Sequence, residues 1–239
     1  MPKVTAVLIA TTTLIACALS TVSSAATWTD TPMARLEALA LIESLNAEIL
    51  SSSSATLTLE HWCREHELAD PPQIVAHRID AVAAPASAEV RSDLQVSPAD
   101  PVRYRRVELT CGAHVLSVAE NWYVPSRLTP EMNRLLDETQ TPFGKVVLPL
   151  KPHRETLAVQ HLWSPLPEGW ERLPNSSSSG APVAKAAAVP LNIPPALFEH
   201  RALLYTEARV AIAEVREVYQ RGLLDFPEPQ VASDPRPDP

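Results

Sequence analysis

The stretch RVELTCGAHVLSVAENWYVP, residues 106–125, decides the fold. Apolar and polar residues alternate on both sides of Gly112-Ala113, which is the pattern of two strands joined by a tight turn. We therefore predict a β-hairpin with strands over residues 102–111 and 115–124. A second stretch, residues 201–219, repeats this pattern around the turn Glu207-Ala208. The repeat indicates an antiparallel sheet with approximate internal symmetry.

Helices and further strands are predicted on either side of the first hairpin. Thr31-Pro32 is a helix start, because a hydroxyl caps the first turn and proline needs no amide donor there. Apolar residues at helical spacing continue this helix to about residue 50. Two more helices are predicted over residues 58–67 and 130–140, and more strands over residues 73–79, 145–150 and 155–163. Residues 81–100 are rich in Ala, Ser and Pro and are predicted to form a loop.

The two ends of the chain have a different composition from its middle. Residues 1–25 combine a basic start, an apolar run and a small-residue exit, which predicts a signal peptide cleaved after Ala25 or Ala26. A competing interpretation is a lipid-attachment box ending at Cys17, which would tether the protein to a membrane surface. One domain is predicted over residues 30–224, with a flexible insertion at 174–195 and a disordered tail at 225–239.

Composition excludes several classes of function. The 239 residues carry a formal net charge of -8, so nucleic acid and anionic lipid are disfavoured as partners. Only five glycines are present, and no phosphate-cradling motif can be built from them. After cleavage two cysteines remain, Cys63 and Cys111, which could form a disulfide or remain two buried, small apolar side chains.

Three places carry residues of chemical interest. Glu214 lies in a strand that is apolar on both faces, where a carboxylate is costly without a partner or ligand. Arg106 shares a strand face with Tyr104 and Glu108. For both residues the alternative is an ordinary ion pair. The run HWCREH, residues 61–66, contains three metal-ligand types, but helical spacing does not put all three on one side, so no metal site is predicted.

At this point the sequence resembles the chorismate pyruvate-lyase family. Five pieces match in order: residues 54–60, the hairpin 106–125, the segment from Leu128-Thr129 to the turn at 141–144, the pair Arg154-Glu155, and Glu214. The resemblance spans about residues 40–220. It implies an α+β fold, a six-stranded antiparallel sheet with flanking helices around a small internal site.

The resemblance also implies a reaction, the conversion of chorismate to 4-hydroxybenzoate and pyruvate without metal or cofactor. Arg106 would bind the ring carboxylate, with Arg154 as a further substrate contact, and Glu214 would meet the hydroxyl end and assist proton movement. The expected partner is a small aromatic or cyclic carboxylic acid. No nucleic acid, no membrane span beyond a lipid anchor at Cys17 and no second subunit are expected.

Three features depart from the family, and one of them is the insertion at 174–195, which has no recognised counterpart there. The enzymes of this family work in the cytosol, whereas the signal peptide places this chain in the periplasm or outside the cell. Glu120 adds a carboxylate where the enzymes often have a small residue. Three hypotheses therefore remain: an exported chorismate lyase, an exported protein that binds an aromatic acid without turnover, and a structural protein in which Arg106 and Glu214 form ordinary ion pairs.

Overall fold

A computed structural model describes residues 28–80, 84–172 and 189–229. The helices are α1 (Pro32–Ser51), α2 (Ala55–Glu65), α3 (Ala88–Asp93), α4 (Pro130–Glu138) and α5 (Phe143–Val146). The strands are β1 (Ile74–Arg78), β2 (Arg103–Cys111), β3 (His114–Tyr123), β4 (His153–His161), β5 (Ala196–Tyr205) and β6 (Ala211–Gln220). None of the helices in these ranges is long and apolar enough to cross a membrane.

The six strands form one antiparallel sheet in the order β1-β2-β3-β6-β5-β4. The two predicted hairpins, β2-β3 and β5-β6, are its four central strands, and each hairpin is joined on its outer side by one edge strand. The predicted fold class is thereby confirmed: an α+β protein with a six-stranded antiparallel sheet and flanking helices. The positive φ of Gly112, 55°, explains why glycine opens the β2-β3 turn.

The two faces of the sheet have different coverings. On one, here called the helical face, α1 and α2 pack through Leu45 and Leu59, and α4 and α5 pack through Leu136 and Phe143. The other is here called the polar face. It is covered at one end by α3, whose Val90 is buried together with the neighbouring Leu94. By strand register, this face carries the polar or aromatic side chains that concern the candidate site: Tyr104, Arg106, Glu120, Trp122, Glu199, Arg201, Glu214 and Arg216.

Two of the secondary-structure predictions were wrong. Residues 145–150, predicted as a strand, form the end of α5 and a 3-10 turn over Leu148–Leu150. Pro149 cannot donate to a strand ladder, and Lys151 follows in the left-handed region with φ 48°. The predicted loop at 81–100 contains α3, which begins because the Ser87 hydroxyl accepts a hydrogen bond from the Val90 amide.

Cys63 and Cys111 form a disulfide that joins the end of α2 to the end of β2. The sequence left this pairing open against two unpaired buried thiols. Both sulfur-bearing residues are fully buried in the cluster that α1 and α2 form with the sheet. The disulfide therefore fixes a helix to the hairpin on which the candidate site is built.

The described chain begins and ends at the same place. The Trp28 indole donates to the carbonyl oxygens of Leu224 and Phe226 at 3.0 and 3.1 Å, and its ring packs against the Phe226 ring. Phe226 is buried, so the packed body continues past residue 224, where the sequence placed the end of the domain. The predicted signal peptide, Cys17, most of the predicted insertion and residues 230–239 lie outside the described residues.

Candidate functional site

Arg106 and Glu214 lie on the same face of the sheet. Arg106 on β2 is opposite Glu120 on β3, and Glu214 on β6 is opposite Trp122 on β3. The two residues are therefore two strands apart across the sheet and two residues apart along it. Ordinary strand spacing and rise put their Cα atoms about 12 Å apart. At this separation, the Arg106 and Glu214 side chains could contact the two ends of one small ring compound.

Among the described residues, Arg106 forms no ion pair within 4 Å of a carboxylate. Its Nε atom is buried and has no hydrogen-bond partner. Glu120, directly opposite, instead accepts a 2.6 Å hydrogen bond from the Tyr104 hydroxyl and lies 3.5 Å from Nη1 of Arg216. Arg106 is half-buried, and a buried polar atom without a partner is costly, so this arrangement suits an anion that arrives as a ligand.

Two aromatic side chains occupy the surface next to Arg106. The rings of Tyr104 and Trp122 are 5.4 Å apart, and the Trp122 indole donates to the Ala84 carbonyl at 3.0 Å. Burial, together with the hydrogen bond to Glu120, raises the pKa of Tyr104 to about 12. The hydroxyl therefore stays protonated at neutral pH, and the two rings, tilted by 45° to each other, offer largely apolar faces that a ligand ring can contact.

Glu214 is 2 % exposed, and its Oε2 atom is buried without a hydrogen-bond partner. The nearest cation is Arg201, whose Nε lies 3.6 Å from Oε1, beyond hydrogen-bonding distance. Burial raises the pKa of Glu214, and the Arg201 charge opposes this only in part. Such a carboxyl can donate a hydrogen bond when protonated and accept one when ionised, which suits a hydroxyl on a ligand.

Arg201 is the residue of this face that sequence reasoning missed. Its Nη1 lies 2.7 Å from a carboxylate oxygen of Glu89, and its Nη2 lies 3.7 Å from one of Asp93. Both carboxylates belong to α3, inside the segment that the sequence predicted as a loop. The Ser87 cap followed by Val90 and Leu94 at helical spacing is the signal that could have revealed this helix.

Arg154 lies on the helical face, so the structure does not bring it together with Arg106 and Glu214. Its guanidinium donates to Glu217 at 2.8 Å and to the Thr156 hydroxyl at 2.7 Å, and its side chain is 2 % exposed. It borders a cavity of about 30 Å³ together with Asn121 and Glu217. That volume holds about one water molecule. The role of Arg154 as a substrate contact stays a prediction.

The residues that could ligate a metal are dispersed. Within the described ranges, no three His, Cys, Asp or Glu side chains are grouped as a metal site requires. In the run 61–66, Cys63 is joined to Cys111, and His66 stacks on Trp62 with ring centroids 3.9 Å apart. The polar face offers charged and hydrogen-bonding groups, which are suited to recognising an acid or to moving a proton.

These features define the class: an α+β protein whose antiparallel sheet carries an arginine, a buried glutamic acid and an aromatic pair on one face. The chain is 45% identical over 208 residues to the uncharacterized protein y4mC of Sinorhizobium fredii (strain NBRC 101917 / NGR234). This match covers 87% of this chain and 85% of that protein. The chain belongs to the family of y4mC. No family model matches it.

Solved structures with a similar arrangement are distant. The effector domain of PhnF from Mycobacterium smegmatis matches with a TM-score of 0.40 and 14% identity, over 66% of this chain and 88% of that one. The C-terminal domain of YurK from Bacillus subtilis matches with a TM-score of 0.38 and 16% identity, over 63% and 90%. Likenesses this remote indicate neither a ligand nor an activity for this chain.

Proposed function

We propose that this protein binds a small aromatic or cyclic carboxylic acid on the polar face. The observation that carries the proposal is a pair of buried, unpartnered groups on one face, Nε of Arg106 and Oε2 of Glu214. A ligand carboxylate would neutralise the guanidinium, and a ligand hydroxyl would satisfy the glutamic acid. Trp122, on the strand between these two residues, and its neighbour Tyr104 supply aromatic rings that a ligand ring can contact.

Glu120 does not prevent this binding, although it is an acid beside Arg106. Its two oxygens face the Tyr104 hydroxyl and the Arg216 guanidinium. Arg216 is also held by Glu199 through two hydrogen bonds of 2.8 and 2.7 Å. The negative charge of Glu120 is thereby offset within the protein, and Arg106 remains available to an incoming acid.

The test measures the binding of 4-hydroxybenzoate by calorimetry and by the change in tryptophan fluorescence. Removing one partner of a desolvated charge pair costs roughly 2–5 kcal/mol, so Arg106→Gln is expected to weaken binding at least about 30-fold. Arg103→Gln is the matched control, since Arg103 lies on the same strand but is exposed and paired with Asp137 at 2.8 Å. Equal binding by the Arg106 variant, or an equal loss in the control, would contradict the proposal.

A second candidate function, lyase chemistry on chorismate, is favoured by the burial of Glu214. A carboxyl with a raised pKa is suited to proton transfer near neutral pH. In this reaction the ring loses the proton on its hydroxyl-bearing carbon and the C–O bond to the enolpyruvyl group breaks. The electron pair completes the aromatic ring, and the departing enolate takes up a proton to become pyruvate.

This second candidate is tested by incubating the purified protein with chorismate and following both products. Equal amounts of 4-hydroxybenzoate and pyruvate should form above the spontaneous rate, and Glu214→Gln and Arg106→Gln should abolish the excess. If the folded protein binds 4-hydroxybenzoate but produces neither product, it is a binding protein without this activity.

We also propose that the protein is exported to the periplasm or beyond. The signal-peptide pattern of residues 1–25 supports this, and so does the Cys63–Cys111 disulfide, because disulfides persist in oxidising compartments. Fractionation of cells, with thiol labelling before and after reduction, tests the proposal. A cytosolic protein whose two cysteines react without reduction would contradict it.

A further inference from the structure

Arg201 is surrounded by three carboxylates. Its Nη1 lies 2.7 Å from Glu89, its Nη2 lies 3.7 Å from Asp93, and its Nε lies 3.6 Å from Glu214. Two of these acids belong to α3 and the third is the buried acid of the candidate site. The positive charge of Arg201 stabilises the Glu214 carboxylate, and the negative charges of Glu89 and Asp93 oppose that stabilisation.

The position of α3 relative to Arg201 is set by packing. Val90 and Leu94 are buried against Leu203, which follows Arg201 on the same strand face. Arg127 donates to the carbonyl oxygens of Leu94 and Gln95, at 2.6 and 3.1 Å. These contacts hold Glu89 and Asp93 next to Arg201 while α3 is docked on the sheet.

The other charged groups near Glu214 have partners of their own. Glu120, on the neighbouring strand, faces Tyr104 and Arg216. Arg127 is directed at backbone carbonyls, including that of Ala211 on the same strand as Glu214. Within the described residues, Arg201 is thus the cation that lies within 4 Å of the Glu214 carboxyl.

We propose that Arg201 is a positioning residue that links the two acids of α3 to the charge state of Glu214. Glu89 holds the Arg201 guanidinium through Nη1, and the negative charges of Glu89 and Asp93 offset the Arg201 charge at Glu214, which favours the protonated form of that carboxyl. The relevance to ligand binding rests on the proposed function, because a protonated Glu214 would donate to a ligand oxygen and would not repel an acid.

The experiment follows the titration of Glu214 by ¹³C NMR of the glutamate carboxyl carbons in the full-length protein, with Glu214→Gln to assign the resonance. Glu89→Gln removes the acid closest to Arg201, so the midpoint of the Glu214 titration is expected to shift to lower pH. Arg201→Gln is expected to shift it to higher pH. Glu199→Gln is the matched control, because Glu199 pairs with Arg216 on the same face and should leave the midpoint in place.

A midpoint that stays in place or rises in Glu89→Gln would overturn the coupling, as would an equal shift in the Glu199 control. Glu89 is largely exposed, so its variant is expected to fold even if Arg201→Gln does not, and Arg201→Lys then serves as the second variant. The two proposals fail separately. A protein that shows the shift but binds no 4-hydroxybenzoate refutes the proposed function alone, and one that binds without the shift refutes the role of Arg201.

Discussion

The two faces of one sheet handle buried charge in different ways. On the helical face, Arg154 and Glu217 lie 2.8 Å apart and Tyr219 donates to the same carboxylate at 3.1 Å. On the polar face, Nε of Arg106 and Oε2 of Glu214 have no partner. A paired buried charge contributes to a defined core, whereas an unpaired one raises the energy of the protein without its ligand.

Arg105 shows that an unpartnered arginine does not by itself define a site. It lies on the helical face, and burial lowers its pKa to about 10, yet its only hydrogen bond is a 3.4 Å contact to the Thr141 carbonyl. An aromatic pair lies near it too, since the Tyr123 and Phe143 rings are 5.5 Å apart. The buried acid of the strands on that face, Glu217, is paired with Arg154 within the described residues. The candidate site is distinguished by an arginine and a buried acid that both have atoms without a partner.

The sharpest test replaces one buried or half-buried arginine on each face by glutamine and compares the free energy of unfolding. The first variant is on the helical face. Arg154→Gln leaves Glu217 buried without its cation, and such a loss typically costs 3–5 kcal/mol, so we expect about that decrease in the free energy of unfolding. Urea denaturation followed by circular dichroism measures it. A decrease below about 1 kcal/mol would mean that the helical face does not depend on this pair.

The two faces should also differ in how pH changes the free energy of unfolding. On the helical face, the residue that we expect to cause this change is His200. Burial, with the nearby charges of Arg154 and His161, lowers the pKa of His200 from 6.5 to about 4. Between these values the unfolded chain binds the proton and the folded one does not, so stability should fall as the pH drops from 6.5 to 4, by on the order of 3 kcal/mol. Unfolding at several pH values measures this loss, and His200→Gln should reduce it. His153→Gln, at an exposed histidine, should leave it unchanged.

Glu214, on the polar face, should produce the opposite slope. Its pKa is raised by burial, so the folded chain retains a proton that the unfolded chain releases. Folding is therefore favoured as the pH falls through the folded pKa of this group and disfavoured above it. Glu214→Gln removes the titration and should raise stability at pH 7 relative to the unmodified protein, as measured by thermal unfolding. A variant that is less stable at every pH would show that Glu214 is paired within the protein.

The smallest effect is expected from Arg106→Gln, the counterpart of the Arg154 variant. Because Arg106 has no partner among the described residues, its loss should leave stability unchanged or slightly higher, by under about 1 kcal/mol. The same urea measurement applies, with binding of 4-hydroxybenzoate measured in parallel. Loss of stability comparable to that of the Arg154 variant would place Arg106 in the scaffold instead of the site.

Part of this molecule is predictable from sequence because its signals are local. The β2-β3 hairpin follows from alternation around Gly112, and α1 follows from the Thr31-Pro32 start and its apolar spacing. Residues 145–150 were mistaken for a strand because a short apolar run does not distinguish strand from helix. The helix α3 was missed because its six residues leave only the Ser87 cap and the spacing of Val90 and Leu94 as signals, within a segment rich in Ala, Ser and Pro.

The placement of Arg106 and Glu214 on one face depends on strand register, which we could not read from the sequence. Arg106 and Glu214 share a face because β3 lies between their strands with a particular alignment. Arg154 lies on the other face, and a register shift between Thr156 and Ala158 separates its pattern from the rest of β4. Side-chain direction alternates with every residue, so a one-residue irregularity reverses the face on which later residues fall.

The contacts of Trp28 with Leu224 and Phe226 bring the two ends of the described chain together. Thr29 reinforces the closure, since its amide donates to the Glu228 carboxylate at 3.0 Å. Two fluorescent probes, attached at residues 29 and 228, would report the distance between the two ends by energy transfer. A loss of energy transfer would show that the ends have separated, independently of the unfolding of the sheet. A circularly permuted chain, with residues 29 and 228 joined by a short linker, should preserve the same sheet and the same two faces.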